Sequence, residues 1–316
     1  MKMIELTSMQ LADNLHVVIG GGFPFCNSLV NLGEEIVIVD PGCPLEKLRA
    51  FLRNQNLQPK DIDLIILSHI HPDHITHAMK LHRLSHCRIA ANEITAPLFD
   101  EKEDMKNFLG FTKGHPVRHL WEDLVNDKMY GAFDEGHIDI ILKDREEYSL
   151  GDITLRMLFT PGHLPDHMCI EIIEQNLVFG ADIDCTAFGP YYGHPNCSIP
   201  EFKKSIQMIK DNDYSGLISG HLEEPFIKEY KPALEEYEKH FEIREEKVYQ
   251  IIENGASTID EIILSPIIYP SLSSPVFLQF EKWMIEHHLY SLKDRGLIVE
   301  ESGKLIAIDK RKEFFQ

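Results

Sequence analysis

The sequence is poor in positive charge. Its 316 residues hold 31 lysines and arginines against 51 aspartates and glutamates, a formal net charge of −20. Such a surface repels phosphate backbones. Broad non-specific binding of nucleic acid is therefore disfavoured, and a local basic groove is left as a route to it. Long apolar runs are missing as well. None approaches the length that spans a bilayer. Leu15 to Ile19 is too short, and is interrupted by His16, to read as a signal peptide. Paired cysteines are the third absence. Cys26, Cys43, Cys87, Cys169, Cys185 and Cys197 form no C-x-x-C motif. A chain of this size needs no disulfide staples, so six free thiols in a reducing cytoplasm are expected.

What remains is an ordinary globular composition, 43% hydrophobic and 26% charged. Its length suits one large domain plus a small one. Leu15 to Ile19, Ser28 to Leu32 and Glu35 to Asp40 read as strands, rich in β-branched residues and punctuated by glycine. The spacing of Leu45 to Leu52 predicts a helix. Strands recur at Asp63 to Leu67, Cys87 to Ala90, Ile153 to Phe159, Met168 to Ile173, Asn176 to Gly180 and Leu217 to Ser219, and Phe202 to Ile209 reads as a helix. This alternation predicts an α/β layered core. Between Asn92 and Glu147 the pattern changes to short helical pieces carrying Phe99, Phe108, Phe111, Trp121, Tyr130 and Phe133. We read an insertion whose aromatics form a small core of their own, or else a lid shaping an apolar pocket.

The C-terminal part reads as a separate unit. A long helix is expected from Pro232, with Leu234, Tyr237, Phe241, Val248 and Ile251 on one face. That stripe suits packing on its own domain or the seam of a homodimer. Ser257 is expected to cap a short helix with Asp260 three residues on. Pro275 opens a second helix that runs to Arg295 and ends at Gly296. Leu297 to Val299 and Leu305 to Ile308 then flank Ser302-Gly303 as a hairpin. Helices followed by a hairpin describe a winged-helix-like unit. Residues 257–316 hold nine acidic and seven basic side chains with no basic stripe, which favours packing or dimerisation over nucleic-acid reading.

The chemistry concentrates at Ser68-His69-Ile70-His71-Pro72-Asp73-His74, directly after the buried strand Asp63 to Leu67. Three imidazoles and a carboxylate at a strand end are zinc, iron or manganese ligands. Clustered there without a partner, they would cost stability. Three further stations follow strands: Thr160-Pro161-Gly162-His163, Phe179-Gly180-Ala181-Asp182 and Ile218-Ser219-Gly220-His221. In each, a glycine one or two residues before the ligand lets the backbone turn sharply.

H-x-H-x-D-H, then T-P-G-H, then a strand-end aspartate, then G-H, resembles the dinuclear pattern of the metallo-β-lactamase-fold hydrolase superfamily. The resemblance covers roughly residues 1–230. It implies an αββα four-layer sandwich as catalytic domain, with the insertion at about 92–147. The remaining residues 231–316 form the long helix and the winged-helix-like α+β unit. Thr160-Pro161-Gly162-His163 with Asp166-His167 also resembles the β-lactamase-like branch that carries such a tail. The resemblance assigns His69, His71 and His163 to a first divalent metal and Asp73, His74 and His221 to a second, with Asp182 bridging. Zinc is the expected ion, and iron and manganese fit the same donors. Asp73 and Asp182 are the expected catalytic carboxylates, and a metal-bridging hydroxide is the expected nucleophile, with Asp73 orienting it.

Weaker expectations concern the surroundings. His167 and Asp166 are candidate supports of the ligands, and His167 is also a candidate for the substrate pocket with Tyr191, Tyr192 and His194. Tyr191, Tyr192 and His194 follow Asp182 on a Gly/Pro-rich loop, where a tyrosine would hydrogen-bond an oxyanion. His77, His82 and His86 read as surface histidines, and Cys185 as wall rather than ligand. The leading function is hydrolysis of a small ester, thioester or lactone. The chain resembles glyoxalase II in its ligands but not in its C-terminal part. The alternatives are a metal-dependent endoribonuclease or phosphodiesterase, a mononuclear iron persulfide dioxygenase, and a non-catalytic binding protein.

Overall fold

Apolar residues alternate along the first strands, and that alternation sends successive side chains into two different layers. In Leu15–Val18, Ser28–Leu32, Ile36–Val39 and Leu64–Ile66, Val17, Leu29, Val37, Val39, Leu64 and Ile66 enter a core shared with a second sheet. Val18, Val30, Ile38 and Ile65 face the opposite way, toward Leu48 and Leu52 of the helix Leu45–Asn54. The computed structural model describes residues 7–272 and 274–308. Residues 1–6 and 309–316, at the outer ends of the two expected units, lie outside the described residues.

The first sheet has seven strands in chain order, from Ser8–Gln10 to Arg88–Asn92 and Ile140–Leu142. Its first four strands pair antiparallel and the rest parallel. The second sheet runs in the order Phe226–Ile227, Gly216–Ser219, Leu177–Ala181, Met168–Ile172, Thr154–Phe159, Glu147–Ser149. With Leu45–Asn54 outside one sheet and Ile199–Lys210 packed on the other through Phe202, Ile206 and Ile209, the layers are those of an αββα sandwich. Among the described residues no helix is long and apolar enough to cross a membrane. All six cysteines are unpaired.

The insertion differs from its sequence reading. Its strand Ile140–Leu142 completes the first sheet, paired to Ala90–Asn92. Its aromatics do not form a core of their own. Phe99, Phe111 and Trp121 join the main core cluster, which also holds Phe280 and Trp283 from the C-terminal part, while Tyr130 is exposed. Helices as short as Thr95–Asp100, Lys102–Phe108 and Arg118–Lys128 bury too little area among themselves, and the C-terminal helix supplies the opposing surface.

The long helix spans Tyr230–Glu253, so Pro232 lies in its first turn, where no backbone N–H is needed. Leu234, Tyr237 and Phe241 enter the main core and Val248 and Ile252 a smaller C-terminal core, so the stripe is covered by the chain itself. Ile252, not Ile251, is the buried residue there. The next cap falls one residue later than expected: Thr258 accepts from the Glu261 backbone N–H, and the Glu261 carboxylate accepts from the N–H of Ser257 and Thr258. The helix Pro275–Asp294 and the hairpin Ile298–Glu301 with Lys304–Ala307 follow.

That last helix is buried on two sides. Val276, Phe280, Trp283 and Met284 enter the main core, and Ile285, Leu289 and Leu292 the C-terminal one. Between them Glu281 is wholly buried. Its carboxylate accepts the backbone N–H groups of Ile267, Ile268 and Tyr269 at 2.8, 3.1 and 3.0 Å. Leaving such groups unpaired is expensive. Glu281→Ala should therefore lower the unfolding free energy by about 3 kcal/mol, and Glu281→Gln by less, in urea titrations. An unchanged midpoint in the alanine variant would refute this role.

Candidate metal centre

Four chain segments deliver the site. Ser68, His69 and His71 follow the strand Leu64–Ile66, and Asp73 and His74 lie in the single turn Pro72–Ile75. His163 follows Thr154–Phe159, Asp182 follows Leu177–Ala181, and His221 follows Gly216–Ser219. Local backbone geometry aims them. Gly162 has φ +132°, and a Cβ there would lie 2.1 Å from the backbone N of Phe202. A Cβ on Gly220 would lie 2.4 Å from the carbonyl of Ala181. Only glycine permits either approach. A register shift between Phe179 and Ala181 puts a bulge just before Asp182 and turns its carboxylate toward the imidazoles.

All seven residues expected from the sequence converge. His163 Nε2 lies 3.0 Å from Asp182 Oδ2 and 2.8 Å from His71 Nδ1, which is 3.0 Å from His69 Nε2. His74 Nε2 and His221 Nε2 lie 2.8 and 3.2 Å from Asp182 Oδ1 and 3.2 Å from each other. Asp73 Oδ2 stands 3.8 Å from His221 Nε2. His69, His71, His163 and Asp182 form one cluster of donor atoms, and Asp73, His74 and His221 a second.

The outward bonds of the rings determine what points inward. His163 Nδ1–H donates to the Tyr191 carbonyl at 2.9 Å and His221 Nδ1–H to the Phe25 carbonyl at 3.1 Å. His74 Nδ1–H donates to Asp40 Oδ2 at 2.8 Å. The Ser68 hydroxyl donates to the same carboxylate at 2.6 Å, which leaves its lone pair for His69 Nδ1–H at 2.9 Å. Each of these rings therefore turns its Nε2 to the centre, where its lone pair is available to a cation. His71 enters through Nδ1, and its Nε2 has no partner. Five ring nitrogens and two carboxylates crowd one small volume. A divalent cation would balance the carboxylates and take up the lone pairs. Zinc–nitrogen bonds of about 2.0–2.1 Å place tetrahedral ligands roughly 3.3 Å apart, close to the separations here.

Electrostatics differ between the two halves of the centre. Burial holds His69 and His71 well below the usual imidazole range, and neighbouring imidazoles add to it. Burial would lower His74 and His221 too, but Asp182 and the other acidic groups around them reverse that, so His74 lies well above the usual range and His221 at about 9; with no metal, a proton balances the carboxylates there. Burial alone would raise Asp182, but His74, His163 and His221 reverse that and hold its carboxyl well below the usual range.

A layer of supports lies behind. Asp40 accepts the Ser68 backbone N–H at 2.7 Å as well as the Ser68 hydroxyl and His74. Asp40 holds a positive φ of 50°. In sequence, Asp40-Pro41-Gly42 reads only as a turn, although Asp40 ends a strand as Asp182 does. Asp166 accepts the Ile70 N–H at 2.8 Å and the Thr95 hydroxyl at 2.9 Å, so it steadies the H-x-H turn.

A cavity of about 410 Å³ opens onto His71, Asp73, Asp182 and His221. Tyr191 and His194 line it, with the Tyr191 hydroxyl 3.3 Å from His194 Nε2. Tyr192 and His167, expected beside them, do not. Tyr192 points the other way along the extended loop and bonds His288 Nε2 at 2.7 Å. His167 stands behind Asp182, accepting its backbone N–H at 3.2 Å while bonding the Thr160 carbonyl. Sequence reasoning missed Asp184 in the lining and the C-terminal residues Tyr269, Phe277 and Phe280. Two of the three presumed surface histidines are half-buried: burial pulls His77 down to about 4, and His82 bonds the Cys87 carbonyl, leaving His86 exposed.

The family model of the metallo-beta-lactamase superfamily matches residues 21–221. Lactamase-like protein aptB of Emericella nidulans is 24% identical over 253 residues, 75% of this chain and 66% of that protein. The beta-lactamase-like protein 2 homolog of Caenorhabditis elegans is 23% identical over 233 residues, 71% of this chain and 64% of its own length. The chain thus spans about two thirds of the relatives it matches. The crystal structure of a metallo-beta-lactamase family protein from Thermus thermophilus superposes with a TM-score of 0.73 at 19% identity, covering 95% of this chain and 100% of that one.

Asp40 provides a test of the support layer. Removing the partner of a metal-binding imidazole weakens affinity about 10–100-fold. Asp40→Asn should show that loss for zinc in competition with a chromophoric chelator. Affinity within twofold of the unaltered protein would mean that Asp40 does not orient His74.

Proposed function

The chain belongs to the metallo-beta-lactamase superfamily, and from that premise we propose that it is a metal-dependent hydrolase of a small ester, thioester or lactone. The observation that carries this reading is the convergence of five imidazole lone pairs on Asp182 at the mouth of a substrate-sized cavity. His69, His71 and His163 would hold one divalent ion, Asp73, His74 and His221 the other, with Asp182 between them. Zinc suits this nitrogen and oxygen set, and iron or manganese are the alternatives. Ions bound there supply Lewis acidity and bring the pKa of coordinated water from 15.7 to about 7.

The chain's own residues then have separate tasks. Asp73, half-buried at the edge of the cavity, orients the attacking water and takes up its proton. Tyr191 is a neutral donor, since burial raises its phenol well above the usual range. Its hydrogen bond to His194 is long, at 3.3 Å, and gives way to a substrate oxygen on which charge develops. The winged-helix-like C-terminal unit acts as a wall of the cavity. That role, and the lack of any lysine or arginine among the described residues of the lining, speaks against ribonuclease or phosphodiesterase action.

The test is a panel of esters, thioesters and lactones with metal analysis. The unaltered chain should hold two ions and turn over at least one class. Losing a residue that merely orients a ligand already costs about 10–100-fold, so Asp182→Ala should lose more than about 100-fold in kcat/KM together with bound metal. Unchanged metal content and activity in that variant would sink the two-ion reading. One iron and no second metal in the unaltered chain would favour the dioxygenase alternative.

A further inference from the structure

We propose that the substrate is uncharged away from its reacting carbonyl and largely apolar there, with its ring or chain seated against a wall built jointly by the insertion and the C-terminal helix. This rests on the hydrolase reading and narrows its substrate class.

The cavity beyond the metal end is walled by Trp121, Leu124 and Met129 from the insertion and by Tyr269, Phe277 and Phe280 from the C-terminal part. At about 410 Å³ it lies near the low end of the about 300–1,000 Å³ typical of small-molecule pockets. Apart from the ring nitrogens of the centre and His194, the ionisable side chains along its described lining that carry charge at neutral pH are Asp73, Asp182 and Asp184, all acidic. The nearest buried guanidinium, Arg244, is turned away, donating to the carbonyls of Pro190 and Phe188. Lys106, beneath the insertion, pairs with Glu122 at 2.8 Å. A carboxylate or phosphate carried into this space would lose its hydration and meet no cation beyond the metal end.

The wall is held in place before any ligand arrives. Phe111 stacks on Trp121 with ring centres 4.1 Å apart, and Trp283 meets Phe111 edge-on at 5.1 Å. Phe280 lies edge-on to Tyr191 at 5.9 Å and to His194 at 5.4 Å. The Glu281 carboxylate pins the backbone that presents Tyr269. Rings fixed by such packing bind apolar surface with little ordering of their own. The C-terminal helix therefore selects the substrate, although it holds no metal ligand.

The experiment compares a naphthoyl thioester with its carboxynaphthoyl counterpart on the same leaving group, using the zinc-loaded full chain. The neutral compound should have a kcat/KM about 100-fold or more above the charged one, since an unpaired buried charge is strongly disfavoured. Leu124→Arg, checked for metal content and thermal stability, should shrink that gap by about tenfold or more. Equal or better turnover of the carboxylated compound would overturn the proposal while leaving the hydrolase reading intact. Hydrolysis of neither, with no turnover across the ester and lactone panel, would overturn the hydrolase reading. The substrate class is then read from binding of the unreactive ketones acetylnaphthalene and carboxyacetylnaphthalene. Tighter binding of the neutral ketone supports the proposal, and equal or weaker binding overturns it.

Discussion

Five imidazole nitrogens and the carboxylates of Asp73 and Asp182 are aimed at one small volume, where only positive charge holds them together. Every feature around the site keeps these groups pointed there. The rings cannot turn away, because each Nδ1–H of His69, His74, His163 and His221 is committed to an oxygen behind it. Those oxygens belong to different segments: a strand end, a loop after Asp182 and the Gly/Phe/Pro turn before the third strand. The centre is preorganised for metal because its outward bonds are set by the whole fold.

The two sheets enforce the same result at longer range. Asp40 ties the end of one strand to the turn after its neighbour, through the Ser68 N–H and hydroxyl and through His74. Asp166 reaches across from the second sheet's loop to the Ile70 N–H, and the Ser68 carbonyl accepts the Met168 N–H. Displacing any strand end would break bonds made by two buried carboxylates. Stability of the sandwich and geometry of the centre therefore rest on the same contacts, and a ligand position cannot drift without disturbing the core.

The ligands were legible because each sits directly after a strand that announces itself by apolar alternation, with a glycine where the backbone must turn. The layer behind them was less so. Asp40 carries the same strand-end signature as Asp182, but a following Pro-Gly makes it read as a turn. Tyr191 and Tyr192 are indistinguishable in sequence, and only the extended loop, which points neighbours to opposite sides, separates the pocket residue from the core residue. The C-terminal wall was hidden for another reason. The helix Pro275–Asp294 is apolar on two faces, so no single stripe marks Phe277 and Phe280 as lining a cavity. The insertion's aromatics misled for the same cause: their partners, Phe280 and Trp283, lie more than a hundred residues later. Local pattern reports that a residue is buried, but not against what.

The wall and the centre are matched in charge as well as in shape. Asp73, Asp182 and Asp184, with an attacking hydroxide, would offset the four positive charges that two divalent ions bring, since burial raises Asp184 only to about 6. A neutral carbonyl would take over the hydroxide's charge only as it is attacked, so stabilisation of that charge would act in the transition state, where it accelerates the reaction. A substrate that carried its own carboxylate into the cavity would add a charge that none of the described lining residues offsets, and would bind more weakly for it. The apolar rings around the cavity sharpen the distinction, because they exclude the water that would otherwise screen it. An acidic chain whose described pocket lining holds no lysine or arginine would thus suit a substrate that becomes charged, rather than one that arrives so.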